Sequence, residues 1–100
     1  MTQRIYKYPL TRLGLNEIQM PHGAVPLHIG EQEDVVTIWC RVVVDRTLAT
    51  RRLYMVGTGH DLTDVPSLVH LGSVNTQLGY VWHVFDDGES PSTVEAKHVD

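Results

Sequence analysis

The stretch "DVVTIWCRVVVD", Asp34 to Asp45, decides the fold. Between its flanking aspartates run β-branched and aromatic residues without a glycine or proline, the composition of a strand. Val36, Ile38, Cys40, Val42 and Val44 alternate onto one face; Val35, Thr37, Trp39, Arg41 and Val43 line the other. A slip of one residue would turn the first set out to water, so the period of two sets that face against a core. The second face is amphipathic rather than plainly solvated.

The same signature recurs on both sides of this stretch. "RIYKYP" (4–9), "NEIQM" (16–20), "AVPLHIG" (24–30), "RRLYMVG" (51–57), "LGSVNTQ" (71–77) and "YVWHVFD" (80–86) are short, β-rich and bounded by Gly, Pro, Asn or Asp. This spacing predicts an all-β fold: a small single-domain antiparallel sandwich or open barrel of six to seven strands. No segment sustains a 3.6-residue period, so at most one short helical turn is expected, near 63–69, with Thr63 or Asp64 capping and Pro66 in its first turn.

Alternation assigns further faces. In "AVPLHIG" the inward set is Val25, Leu27 and Ile29, His28 turns out, and Pro26 marks an edge strand. In "YVWHVFD" the set Tyr80, Trp82, Val84 competes with Val81, His83, Phe85, which implies a strand covered on both sides. "DRTLAT" is expected to close a hairpin between the central strand and "RRLYMVG". Residues 1–86 form the domain, and "DGESPSTVEAKHVD" (87–100) reads as a disordered acidic tail.

A chain of 100 residues supports one modest core and one main site. Its 42% hydrophobic and 20% charged residues are an ordinary globular balance. There is no apolar run of membrane-spanning length, and "MTQRIYKYPL" lacks a signal-peptide apolar core, so a cytosolic protein is expected. Cys40, the single cysteine, reads as a packed free thiol. The net charge of −4 argues against non-specific nucleic-acid binding, although residues 1–52 carry seven Lys/Arg against five Asp/Glu and leave room for a local cationic patch.

"KYPL" near the start, then "MPHGA", "WCRVVVD", "VGTGH" and "WHVF" resemble, in order and spacing, an uncharacterised family of short bacteriophage-encoded proteins built on KYPL…MPxGA…W…VGTGH…HVF. The resemblance covers roughly residues 5–86. It implies a compact, mostly β protein acting in the cytoplasm of an infected host, and it carries no residue roles.

Among the motifs, "VGTGHDLTDVP" has Gly57 and Gly59, but Leu62 stands where a dinucleotide loop needs its third glycine, and no GxxxxGK loop exists. The glycines then set a strand-ending corner, or the amides of Gly57, Thr58, Gly59 and His60 form a small anion-binding nest. Six histidines show no metal-ligand spacing, and no metal or cofactor is expected. There is no GxSxG elbow, and His60 with Asp61 is no dyad, because neighbours on an extended chain point apart.

Aromatic residues and cations make the strongest grouping. Trp39 and Arg41 share the non-core face of the central strand, and Arg51, Arg52 and Tyr54 lie on the strand expected beside it. Stacking planes next to guanidinium groups suit a planar anion such as a nucleotide; they also suit a homo-oligomer interface, and a homo-oligomer is expected. The expectation is a non-enzymatic phage accessory protein, a counter-defence protein that sequesters a small nucleotide-like signalling molecule with Trp39, Arg41, Arg51, Arg52, Tyr54 and the Gly57–His60 corner. The alternatives are a protein-interaction module that blocks or adapts a host or virion protein, and a small hydrolase using His60 with Asp61 or Asp64.

Overall fold

A computed structural model of the chain describes residues 1–63, 65 and 69–90. Its strands are β1 (Gln3–Pro9), β2 (Gly14–Pro21), β3 (Val25–Gln32), β4 (Val35–Val43), β5 (Leu48–Gly57), β6 (Val69–Asn75) and β7 (Val81–Glu89), and every pairing is antiparallel. They form a sandwich of two sheets: sheet A in the order β1-β4-β3, and sheet B in the order β2-β5-β7-β6. Among the described residues there is no helix, and the helical turn expected near 63–69 lies largely outside them.

The central stretch behaves as its alternation requires. Val36, Ile38, Cys40 and Val42 are at most 4% exposed and Val44 packs beside them. Leu53 and Met55 of β5, Val84 of β7, Val74 of β6 and Met20 of β2 meet them from sheet B. Full burial of each such side chain is worth roughly 1.5–3 kcal/mol, so this set holds the register of both sheets. The sheets close on each other where β3 lies against β6, so near that a Cβ on Gly72 would meet Ile29 at 3.6 Å.

Two tight turns explain much of the path. β3 and β4 are joined through Glu33 and Asp34, both at positive φ (52° and 65°), the backbone of a two-residue hairpin turn whose twist matches the flanking strands. The "PHG" turn carries the chain from sheet B to sheet A, with Gly23 at φ 78° and the Ala24 amide donating to the Pro21 carbonyl.

Three sequence expectations are corrected. "DRTLAT" is no hairpin: β4 pairs with β1 and β3, whereas β5 pairs with β2 and β7 in the other sheet. In β3 a bulge at Leu27 shifts the alternation, so Val25 faces outward opposite Arg41 and Leu27 is 49% exposed, while Ile29 stays inward and His28 outward on an edge strand. β7 runs three residues past the expected boundary at 86, because Gly88 (φ 78°) makes a bulge and Glu89 pairs with Arg51; residues 91–100 lie outside the described ones. β7 is the inner strand between β5 and β6, with Val84 in the core and His83 and Phe85 half-buried.

Candidate functional site

The crossing of β4 to β5 between sheets disperses the expected constellation. Trp39 and Arg41 stand on the outer face of sheet A, opposite His28 and Val25. The His28 ring lies over Trp39, with centroids 5.4 Å apart, and Gly30 leaves the room: a Cβ there would come within 2.7 Å of the His28 ring. Trp39 is therefore already covered by a neighbour. Arg41 is exposed and reaches a shallow cleft shared with Gln3, Val25 and Arg46.

Arg51 points into the sandwich, on the same side of β5 as Leu53 and Met55. Its Nε and one terminal nitrogen donate to the two carboxylate oxygens of Asp86 at 2.9 and 2.6 Å, and its other terminal nitrogen donates to the Ala24 carbonyl at 2.8 Å. Burial pushes Asp86 upward, yet hydrogen bonds from Arg51 and the Gly88 amide, with the Arg51 charge, outweigh it and hold the carboxyl below its ordinary value. Arg52 and Tyr54 lie on the outer face of sheet B, where Arg52 pairs with Asp87 at 3.2 Å and Glu17 at 3.1 Å. Two of the three arginines expected to bind an anion, Arg51 and Arg52, are thus committed to carboxylates of the chain itself.

The glycine corner is likewise occupied. The Gly57 amide donates to His60 Nδ1 at 3.0 Å, the Thr58 amide to the Val81 carbonyl at 3.1 Å, and the His60 amide back to the Gly57 carbonyl at 3.0 Å. Three of the four amides of the expected nest are used within the fold. Gly59 adopts φ 89°, whereas Gly57 is required sterically, since a Cβ there would lie 2.8 Å from the His60 ring. Asp61 accepts from Thr63, which holds it below its ordinary value; Asp64 lies outside the described residues.

What the corner does supply is one wall of a cleft of ≈ 500 Å³, lined by Leu13, Gly57, Thr58, His60, Tyr80 and Trp82. Tyr80 and Trp82 stack at 5.7 Å and 30°, and His60 meets Trp82 edge-on at 6.2 Å. Trp82 sits opposite Gly57 in the ladder, two residues from buried Val84 on the same side, at the open end of the sandwich. Leu13 is brought there by buried Asn16, whose side chain accepts from the Arg12 amide and donates to the Arg12 and Gly14 carbonyls. Because Nδ1 accepts from Gly57, neutral His60 carries its hydrogen on Nε2, a donor for a ligand's acceptor.

Of the expected site residues, the structure keeps Gly57, Thr58 and His60 together in this cleft, leaves Gly59 out of its lining, and places Trp39, Arg41, Arg51, Arg52 and Tyr54 elsewhere. Tyr80, Trp82 and Leu13 were missed, although the shared face of Tyr80 and Trp82 was visible in their alternation. Also missed was a hydroxyl and imidazole group on the outer face of sheet B: the His83 ring lies 2.7 Å from both Ser73 Oγ and Thr58 Oγ1, with His70 beside it. Among the described residues no three His, Cys, Asp or Glu side chains gather around a common point, and no helix is long and apolar enough to cross a membrane. No curated protein and no solved structure matches the chain. A family model does match residues 1–94, and the chain belongs to that family, described as a domain of unknown function (DUF7352).

Proposed function

We propose that this chain acts by binding, taking the flat face of a nucleotide-like small molecule into the cleft of Trp82, Tyr80 and His60. The observation that carries the reading is the cleft itself: ≈ 500 Å³, within the range of small-molecule sites, with two stacked aromatic rings, an edge-on imidazole and an apolar lip at Leu13. Such a wall favours stacking with a planar heterocycle, and the Nε2–H of His60 offers one directional hydrogen bond. Arg51 and Arg52 take no part, so recognition rests on the base-like ring rather than on phosphate. The order of the KYPL, MPHGA, VGTGH and WHVF motifs supports a bacteriophage origin, and with it a counter-defence role in which the host's signalling molecule is sequestered in the cytoplasm without being altered.

Titration calorimetry and thermal shift against cyclic nucleotides and ADP-ribose derivatives test this. Binding that is lost in Tyr80→Ala and kept in Arg52→Ala, with the ligand recovered unchanged after denaturation, is the expected result. A ligand recovered in altered form would make the protein an enzyme. No shift with any nucleotide would remove the ligand reading.

The second reading, a protein-interaction module, has its own observation. The outer face of sheet A presents Ile5 and Val25, 62 and 39% exposed, on either side of Arg41, with Val35 (37%) at the far end of β4. Capture of one specific host or virion protein that Arg41→Glu abolishes would favour it.

A further inference from the structure

Strand β1 ends sheet A, and among the described residues no strand lies on its outer side. The Leu10 amide donates to the Val36 carbonyl at 2.8 Å, and the Val44 amide to the Thr2 carbonyl at 3.0 Å. In an antiparallel ladder this parity turns the N–H and C=O of Arg4, Tyr6 and Tyr8 toward β4, and those of Gln3, Ile5, Lys7 and Pro9 toward the open edge. Pro9, which has no N–H, therefore stands where the ladder to β4 loses nothing.

Apart from the charges of Arg4 and Lys7, the rest of this edge is open to pairing. Pairing with β4 runs without a bulge from Gln3 to Pro9, so the strand is regular along its length. Ile5 is 62% exposed, and Tyr6 is 40% exposed although it lies on the core-facing side opposite Cys40. β1 packs on β4, with Tyr8 reaching the shared core and little other contact with sheet B.

We propose that β1 pairs with β1 of a second copy, antiparallel about a twofold axis at Ile5, so that the two A sheets become one continuous sheet. In this register Ile5 exchanges both backbone hydrogen bonds with the partner's Ile5, and Gln3 does so with the partner's Lys7. Every free edge donor, the amides of Gln3, Ile5 and Lys7, is then satisfied, and Pro9 falls outside the paired segment. On the core-facing side Arg4 stands opposite the partner's Tyr6, a cation over an aromatic face at a position where side chains approach closely. The two most exposed apolar groups of the edge are covered, and no like charges oppose each other. Sliding the pair by two residues one way sets Arg4 against the partner's Arg4; sliding it the other way places Lys7 against the partner's Ile5 and brings Pro9 into the ladder. The strand is complementary to itself in one register, which is why a second copy, rather than a different protein, is its occupant. This assembly stands independently of what the aromatic cleft binds.

Sedimentation equilibrium of the full chain tests the proposal, with a mass of two chains expected. Cys40 is fully buried, so Ile5→Cys adds the one accessible thiol. Paired Cα atoms about 5.5 Å apart are within disulfide reach, and oxidation is expected to give a covalent dimer, which Leu27→Cys does not. Ile5→Pro and Lys7→Pro each remove an edge N–H that makes no bond to β4, and are expected to weaken the dimer on the order of tenfold or more while leaving the circular-dichroism spectrum unchanged. A monomer at about 100 μM, where even a dissociation constant of that order would leave a large dimer fraction, overturns the proposal. So does a dimer that survives both proline variants undiminished, or one in which Ile5→Cys fails to cross-link.

Discussion

Arg51 and Asp86 form a two-pronged ion pair between neighbouring strands of sheet B, with both side chains nearly buried, at 12 and 11% exposure. The third arm of the guanidinium donates to Ala24 at the start of sheet A, so one arginine ties the crossing between the sheets to the inner strand β7. Removing either partner strands a charge away from water. Asp86→Ala and Arg51→Met are each expected to lower the unfolding free energy by about 3–5 kcal/mol in urea titration, whereas Arg51→Met combined with Asp86→Leu regains most of that loss. Single variants within about 1 kcal/mol of the parent would show that the pair does not hold the crossing.

The same pair gives stability an acid limb. Asp86 is held low by Arg51 and Gly88 against the upward push of burial, and Glu89 is held low by the Gly23 amide and by His22 against the same push. Below the ordinary carboxylate value of about 4, the unfolded chain binds protons that the folded chain does not, so stability rises with pH through that range. The contribution is complete above the unfolded value and is lost as pH falls through the folded values. Thermal unfolding between about pH 3 and pH 7 is expected to show a steep acid fall that Asp86→Asn flattens; parallel curves for the parent and this variant would assign the fall to other groups.

Much of this fold can be read from period and punctuation. Strand positions follow from β-branched runs between Gly, Pro, Asn and Asp, and the core face of β4 follows from five alternating residues. The sheet that a strand joins leaves no such trace. The link from Val44 to Thr47 has the composition of a hairpin turn, yet it carries the chain across the sandwich, because β5 finds its partners in β2 and β7, far away in sequence. The bulge at Leu27 also has no local marker and reverses the facing of Val25. Arg51 was more legible: it shares parity with Leu53 and Met55, which places it inside, where an arginine needs a carboxylate. The site was half legible, since Gly57 and His60 belong to it, whereas Leu13 arrives through a loop that Asn16 folds into place.

Cys40 is fully buried, and burial pushes its thiol up to about 11, with the Arg51 charge pulling it back and Asp86 adding to the rise. A thiol so placed is neither ionised nor reachable at pH 8. Native protein is expected to leave a thiol-reactive disulfide reagent unconsumed over hours, and to react within minutes once urea unfolds it. Rapid labelling of the native state would mean that the two sheets separate far more readily than their packing implies.

Gly57 and His60 are coupled by a contact and a hydrogen bond that one substitution breaks together. The imidazole folds over the glycine so closely that a Cβ would lie 2.8 Å from Cε1 and 3.1 Å from Nδ1, the atom that accepts the Gly57 amide hydrogen. Gly57→Ala must therefore displace the ring, giving up the hydrogen bond and the edge contact with Trp82, and is expected to cost about 1–3 kcal/mol. In a His60→Ala background the space is empty and the strand gains a β-carbon, so the same change should cost nothing or stabilise by a few tenths of a kcal/mol to about 1 kcal/mol. The double-mutant cycle is thus expected to return a coupling of at least about 1 kcal/mol. Gly59→Ala serves as the comparison, because its φ of 89° disfavours any side chain whether or not His60 is present. If the effects of Gly57→Ala and His60→Ala simply add, the ring does not rest on the glycine, and the cleft wall that His60 forms is not fixed by that corner.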